Sequence, residues 1–313
     1  MGLKFIFSAN IRENNHKTNY IILFSQKNSC ESTSNGKLSL SLHGNNKNIK
    51  PMREIKITKR AHEEMRRLFS SSRTKINNIH TDPELSEIVD NFAFDKTLEK
   101  TDGIVLEKTR VMCLLATTIG CNAINEFKLF VDACLNVGVK PREIREIVYM
   151  AYPYVGAALL VDYNLLMNDI FENNGIRLPL DPQNTVSNDE EAFEKGKQLL
   201  DETFGKGSVD SLIAAAPKGQ EHLTNFMAEY CFGRFYTRTG IDPQHRELIA
   251  FCLLAAMGGC DDRLLVHAQG CKNHNISKEE MIAVCTIILP WIGFPRTLNA
   301  VSIINKAYFA QIM

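Results

Sequence analysis

From about Met52 onward the apolar residues recur at helical spacing, without the two-residue alternation of a half-buried strand. Ala61–Phe69 is amphipathic. Asp82-Pro83 reads as a cap followed by proline at the first helical position, which predicts a helix through Asn91. Leu106–Ile119 is apolar over much of its length, as a buried helix would be. Pro141 opens a helix over Arg142–Tyr152 that Pro153 is expected to stop. Asp242-Pro243 repeats that start and leads into Gln244–Met257, broken by Gly258-Gly259. Asp261-Asp262 opens another helix through about Lys272. Ser277-Lys278-Glu279-Glu280 has the spacing of a capping box ahead of the apolar run Met281–Leu289. With no strand alternation of useful length, the expected fold class is all-α.

Residues 1–51 differ in character. Ser29–Asn48 is rich in Asn, Ser, Lys and Gly and lacks periodicity, so this extension is expected to be disordered. Nothing upstream is required by the helical text, which leaves Met52 as an alternative translation start. The chain has 313 residues, beyond the usual single-domain size, so two domains are expected. Lys plus Arg equals Asp plus Glu at 36 each, which argues against a general attraction to nucleic acid or to an anionic membrane. No segment approaches the ~18 uninterrupted apolar residues of a spanning helix. Tyr20-Ile21-Ile22-Leu23-Phe24 is too short for a secretory signal, so a cytoplasmic location is expected. Of the nine cysteines, Cys113, Cys134, Cys252 and Cys285 fall in apolar helical patterns and are expected to be buried reduced thiols. No C-x-x-C pair occurs.

The chain also overlays on itself. A shift of 137 (240 − 103) places Gly103 on Gly240, Asn136 on Asn273, Pro153 on Pro290 and Gly156 on Gly293. Pro153-Tyr154-Val155-Gly156 then matches Pro290-Trp291-Ile292-Gly293: in each a helix expected to stop at the proline, a bulky aromatic anchor, a β-branched residue and a turn glycine. The middle helix matches better at 139 (252 − 113), with Cys113-Leu114-Leu115-Ala116 on Cys252-Leu253-Leu254-Ala255 and Cys121 on Cys260. Two tandem helical domains related by pseudo-symmetry, residues 52–178 and 188–313, are therefore expected.

The second half resembles the carboxymuconolactone decarboxylase family, within the alkylhydroperoxidase-like superfamily. The resemblance rests on Ala228–Gly270, "AEYCFGRFYTRTGIDPQHRELIAFCLLAAMGGCDDRLLVHAQG", on Leu289–Ala300, "LPWIGFPRTLNA", and on "FEKGKQLLDETFG" at Phe193–Gly205. The first half is similar to the same family through Asp82–Asp95 and Cys134–Ala157. The family's L-x-x-H-x-x-G stands here as Leu264 to Gly270, with His267 as its histidine. Glu247 lies eleven residues before Gly258 and His267 eight after Gly259, so the two can lie nearly level across a helical hairpin. A carboxylate there would raise the histidine pKa and fix its orientation, which suits proton transfer. Taken without the resemblance, His267 reads more simply as a packed or surface histidine. Glu247 is equally an ion-pair partner for Arg246 or Arg263.

The resemblance implies a lyase without metal or organic cofactor, acting on a small-molecule lactone acid. His267 would be the acid, Glu247 its orienter, and Arg246 or Arg263 would hold substrate carboxylates. Cys260, seven residues before His267 and at a helix start, could have a lowered pKa from the helix dipole, or could be filler. A thiol-peroxidase alternative would run through Cys260, but the second cysteine of the two-cysteine scheme is replaced by Arg263. Cys271 is ~16 Å along one helix, too far for a disulfide. A third reading is a helical binder or scaffold without catalysis. In the first half, Lys108 and Lys128 stand for Glu247 and His267 at a shift of 139, and Phe130 for the histidine at 137, so that half is expected to have a degenerate site. The resemblance further implies a homo-oligomer, with a trimer expected.

Overall fold

The computed structural model describes residues 56–69 and 81–309, together with the backbone of residues 6–13 and 16–23. It divides into two units, Met1–Lys59 and Arg60–Met313. In the first, β1 (Ile6–Glu13) pairs antiparallel with β2 (His16–Leu23), Ile6 opposite Leu23 and Glu13 opposite His16. This hairpin departs from the expectation of a structureless extension. The alternation in β1, Phe7-Ser8-Ala9-Asn10-Ile11-Arg12, lasts only six residues, and β2 ends in the unbroken apolar run Tyr20-Ile21-Ile22-Leu23, so the strand signal is short. The Ser29–Asn48 expectation lies outside the described residues.

The described residues of the second unit form helices and no strands, as an all-α chain should. In order they are α1 (Lys59–Phe69), α2 (Pro83–Asn91), a π-helical stretch Phe92–Lys96, α3 (Thr97–Thr101), α4 (Glu107–Gly120), α5 (Ile124–Asn136), α6 (Pro141–Val155) and α7 (Ala157–Asn173). Then come α8 (Asp189–Phe204), α9 (Ser208–Ala215), α10 (Glu221–Phe226), a second π-helical stretch Met227–Tyr236, α11 (Pro243–Met257), α12 (Asp261–Asn273) and α13 (Lys278–Phe309).

Expected starts are met by specific caps. Asp242 accepts the backbone N–H of His245, and Ser277 and Glu280 exchange the two bonds of a capping box. Asp82, by contrast, makes no side-chain cap bond, so Pro83 alone marks that start. The expected stops at Pro153 and Pro290 do not occur. Each helix runs three residues further, to Gly156 (φ 75°, ψ 168°) and to a break at Gly293 (φ 77°, ψ 166°). Proline's φ fits a helix and costs one backbone bond, whereas a positive φ cannot be helical at all. By length and composition α13 could cross a bilayer, but the Gly293 break divides it and its buried residues, Met281 to Ala307, face the protein core.

The core is built on α4 and α11, which pack on one another and are hidden on every side: Arg110–Ile119 and Arg246–Ala256 are buried without interruption. A Cβ on Gly120 would stand 2.7 Å from the Leu253 carbonyl, so this glycine sets how closely α4 approaches α11. Cys113, Cys134, Cys252 and Cys285 are buried and free, as expected.

An even closer contact joins α8 to the second π-helical stretch. A Cβ on Gly196 would lie 1.9 Å from the Ala228 carbonyl oxygen, and one on Gly233 would lie 2.0 Å from that of Ala192. Backbone cannot yield as a side chain can, so Gly196→Ala should destabilise the fold by ~2 kcal/mol or more, although alanine is the better helix former. A thermal melt unchanged from the parent would refute this.

Candidate active site

The hairpin geometry expected from the sequence is present. Gly258 and Gly259, at φ 70° and 72°, turn the chain between α11 and α12. This sets Glu247 and His267 side by side, with His267 Nδ1 2.9 Å from Glu247 Oε2 and both side chains buried. The carboxylate fits because of Gly270, one turn beyond His267: a Cβ there would come within 2.2 Å of Glu247 Oε2. The last position of the L-x-x-H-x-x-G pattern is thus the space in which the carboxylate sits.

On its other side the imidazole meets a group from a distant part of the chain. Tyr154, near the end of α6, places its hydroxyl 3.2 Å from His267 Nε2 and 2.5 Å from the hydroxyl of Tyr236. Burial and nearby anionic groups push both phenols well above their ordinary range, so both keep their protons at neutral pH. One donor set satisfies every group. Nδ1–H donates to Glu247, Tyr154 O–H donates to Nε2, and Tyr236 O–H donates to the Tyr154 oxygen.

His267 and Tyr154 line a cavity of about 490 Å³, with Glu247 and Tyr236 outside its lining. Its walls are mostly apolar and aromatic, including Tyr152, Phe226, Tyr230, Phe235 and Leu254, and Arg263 stands among the lining residues. The π-helical stretch Met227–Tyr236 supplies one wall, with Cys231 and Phe232 facing the cavity and Tyr236 behind Tyr154. The Cys231 thiol is pushed up to about 12, first by burial and then by Glu247.

Of the other residues expected at the site, Arg263 lines the cavity and is solvent-exposed, available to an anion. Arg246 is not available. It is buried and donates to the backbone oxygens of Phe235 (3.1 Å), Arg238 (2.6 Å) and Thr239 (3.2 Å), with Glu146 at 3.5 Å. Glu146, on α6, also takes a two-pronged bond from Arg238 at 2.9 and 3.0 Å. Arg246 is therefore a brace for the segment that follows Tyr236, and the expected substrate-binding role is corrected. Glu247 pairs with neither arginine, because α12 offers it the imidazole instead.

Cys260 is also set apart. It occupies the cap position of α12 with its sulfur 3.6 Å from the carbonyls of Leu254 and Gly258, and it is not among the cavity-lining residues. Burial first, then Asp261, pushes its thiol up, the reverse of the lowering expected from the helix dipole. A smaller cavity of about 250 Å³ surrounds Cys121, with Glu126 and Trp291 in its lining and no histidine. Among the described residues, no group of three or more His, Cys, Asp or Glu side chains is placed to hold a metal ion.

Tyr154 and Tyr236 were not singled out by sequence reasoning. Tyr154 stood in the repeated Pro-aromatic-x-Gly pattern, where it read as a packing anchor. Tyr236 lay inside the family-like text with no spacing that linked it to His267.

Residues 221–306 match the carboxymuconolactone decarboxylase family. The chain is 22% identical over 121 residues to 4-carboxymuconolactone decarboxylase of Acinetobacter baylyi, covering 39% of this chain and 90% of that protein. Among solved structures, it is similar to a protein of Burkholderia xenovorans named as a candidate gamma-carboxymuconolactone decarboxylase subunit. That match has a TM-score of 0.47 and 16% identity, covering 80% of this chain and 96% of the other.

Two outcomes are expected of this site. Gly270→Ala should lower the melting temperature despite alanine's ~1 kcal/mol advantage in a helix, because it drives the buried carboxylate off its imidazole; a rise would refute the packing. A raised thiol pKa means a smaller thiolate fraction at any given pH. Alkylation of Cys260, followed by peptide mass spectrometry, should thus be slower at pH 7 than that of free cysteine and accelerate toward pH 9 and above.

Proposed function

We propose that the chain carries out a cofactor-free decarboxylation of a small lactone carboxylic acid by acid–base catalysis in the larger cavity. The observation that carries the reading is His267, paired with the buried Glu247, in the lining of an open, mostly apolar cavity that also holds one exposed arginine. Loss of carbon dioxide leaves an electron pair that drains into a conjugated carbonyl, and the carbon must then be protonated. A carboxylate-oriented imidazole suits the proton transfer, and Arg263 suits the remaining carboxylate. The match of residues 221–306 to the decarboxylase family and the distant relationship to a 4-carboxymuconolactone decarboxylase favour this reading.

Thiol peroxidase chemistry through Cys260 is less well supported, since the thiol is turned toward backbone carbonyls and its pKa is raised. A scaffold without a ligand site would be favoured by a filled pocket, and the cavity is open.

The chain also reads as a duplication. Helices α4 to α7 are echoed by α11 to α13, the three-residue turns 121–123 and 258–260 correspond at a shift of 137, and Gly156 and Gly293 share one backbone conformation. In that frame Arg110 and Phe130 stand for Glu247 and His267 (247 − 110 = 137; 267 − 130 = 137), in place of the lysines expected at 139. Arg110 pairs with Glu64, and Phe130 packs edge-on against Trp291 at 5.4 Å, so no acid–imidazole pair stands at these two positions. A homo-oligomer, with a trimer as the first expectation, fits the exposed apolar residues Val161, Leu165, Phe294 and Leu298.

The test is turnover of γ-carboxymuconolactone by the purified chain, set beside peroxide reduction with a dithiol. His267→Ala should cost about 10²-fold or more in lyase rate, and Cys260→Ser should leave it nearly unchanged. Lyase activity that survives His267→Ala would overturn the assignment, as would peroxide turnover lost with Cys260→Ser.

A further inference from the structure

The residue that faces His267 across its free nitrogen comes from the other half of the chain, outside the 221–306 segment that matches the family. We propose that Tyr154 is the hydroxyl through which His267 exchanges its proton with a molecule in the cavity, with Tyr236 holding that hydroxyl in place. The proposal rests on the proton-transfer reading of His267.

The geometry carries it in three ways. Nδ1 is occupied by Glu247 at 2.9 Å, so only Nε2 can give or take a proton in turnover. Nε2 is met by the Tyr154 hydroxyl at 3.2 Å, and Tyr154 and His267 both line the cavity. Tyr236, which does not line the cavity, stands 2.5 Å behind Tyr154 and is fixed in place: its ring packs against Phe232 at 4.7 Å, and the segment after it is held by Arg246 and tied through Arg238 to Glu146. A tyrosine hydroxyl can donate one bond and accept others, so this pair can reverse direction without moving. With neutral His267, Tyr154 donates to Nε2. With the imidazolium, Nε2–H donates to Tyr154, whose own proton is then free for the substrate or for Tyr236.

The step balances. The bond from carbon to the departing carboxylate breaks, its electron pair moves into the conjugated carbonyl, and carbon dioxide leaves. The Tyr154 O–H proton then passes to carbon as the Nε2 proton passes to the Tyr154 oxygen. His267 loses one proton, the product gains one, and Tyr154 ends as it began. That Nε2 proton is taken from solvent at the start of each turnover, so between turnovers His267 rests neutral with Tyr154 donating to Nε2. Tyr154 carries no net charge at either end of the step, in keeping with a phenol that burial holds in its protonated form.

The test uses the full chain with Tyr154→Phe and Tyr236→Phe, with His267→Gln to identify the histidine's signals. The readout that needs no substrate is 15N NMR of the His267 side chain at neutral pH. Wild type should show a protonated Nδ1 and a hydrogen-bonded, pyridine-type Nε2. In Tyr154→Phe the Nε2 signal should move toward that of an unbonded nitrogen, and in Tyr236→Phe it should move in the same direction by less. With the lactone as substrate, Tyr154→Phe should lower kcat at least tenfold with KM changed less than threefold, and Tyr236→Phe should fall between it and wild type. Imidazole signals unchanged in both variants would overturn the relay, whatever the turnover. If wild type turns over no lactone while the signals move as expected, the decarboxylase reading fails and the hydrogen-bond relay stands. If Tyr154→Phe does not fold, the Tyr236→Phe shift decides, and its absence overturns the proposal.

Discussion

A carboxylate in the middle of a buried helix constrains everything around it. Glu247 lies in the buried run Arg246–Ala256, and a charge in that position is tolerable only with a partner that satisfies it. The partner is His267, and delivering it demands a tight turn, a following helix in the right register, and a gap in that helix where the carboxylate can sit. Gly258 and Gly259 provide the turn, and Gly270 provides the gap. Once the imidazole is held on one side, its other nitrogen points at the cavity, and the remaining neighbours become a question of what faces it there.

The answer draws on both halves of the chain. Tyr154 arrives from α6, and α6 is tied to the end of the π-helical stretch by the buried Glu146–Arg238–Arg246 cluster. That cluster spends an arginine the sequence offered for substrate binding, and in return it secures the segment that carries Tyr236. The close crossing at Gly196 and Gly233 holds the same stretch against α8. Two sets of interactions distant from the imidazole thus place the hydroxyls beside it. The region matched by the family, 221–306, does not contain Tyr154 or Glu146, so it does not by itself hold the whole site.

Much of the helical plan was legible in the chain because it is local. Caps at Asp242 and Ser277, glycine turns, and apolar spacing act within one or two turns of helix, and the structure reproduces those starts. The misreadings share a cause. Pro153 and Pro290 were given the stopping role that belongs to Gly156 and Gly293, because a proline's effect depends on where in the helix it falls. For Cys260 a helix start offered either a lowered pKa or a filler role, whereas partial burial and Asp261 raise its pKa. Arg246 appeared available because a side chain's partners are not written beside it.

The chain by itself determined much of the helical plan and the glycine turn, and it set Glu247 and His267 level across one hairpin while leaving Arg246 and Arg263 open as partners of the carboxylate. Only the tertiary structure decided which arginine faces the cavity, that Cys260 stands apart from it, and that two tyrosines complete the imidazole's surroundings. Tyr154 and His267 are 113 positions apart. Contacts across such a distance depend on how whole helices pack, and no spacing rule along the chain reports that.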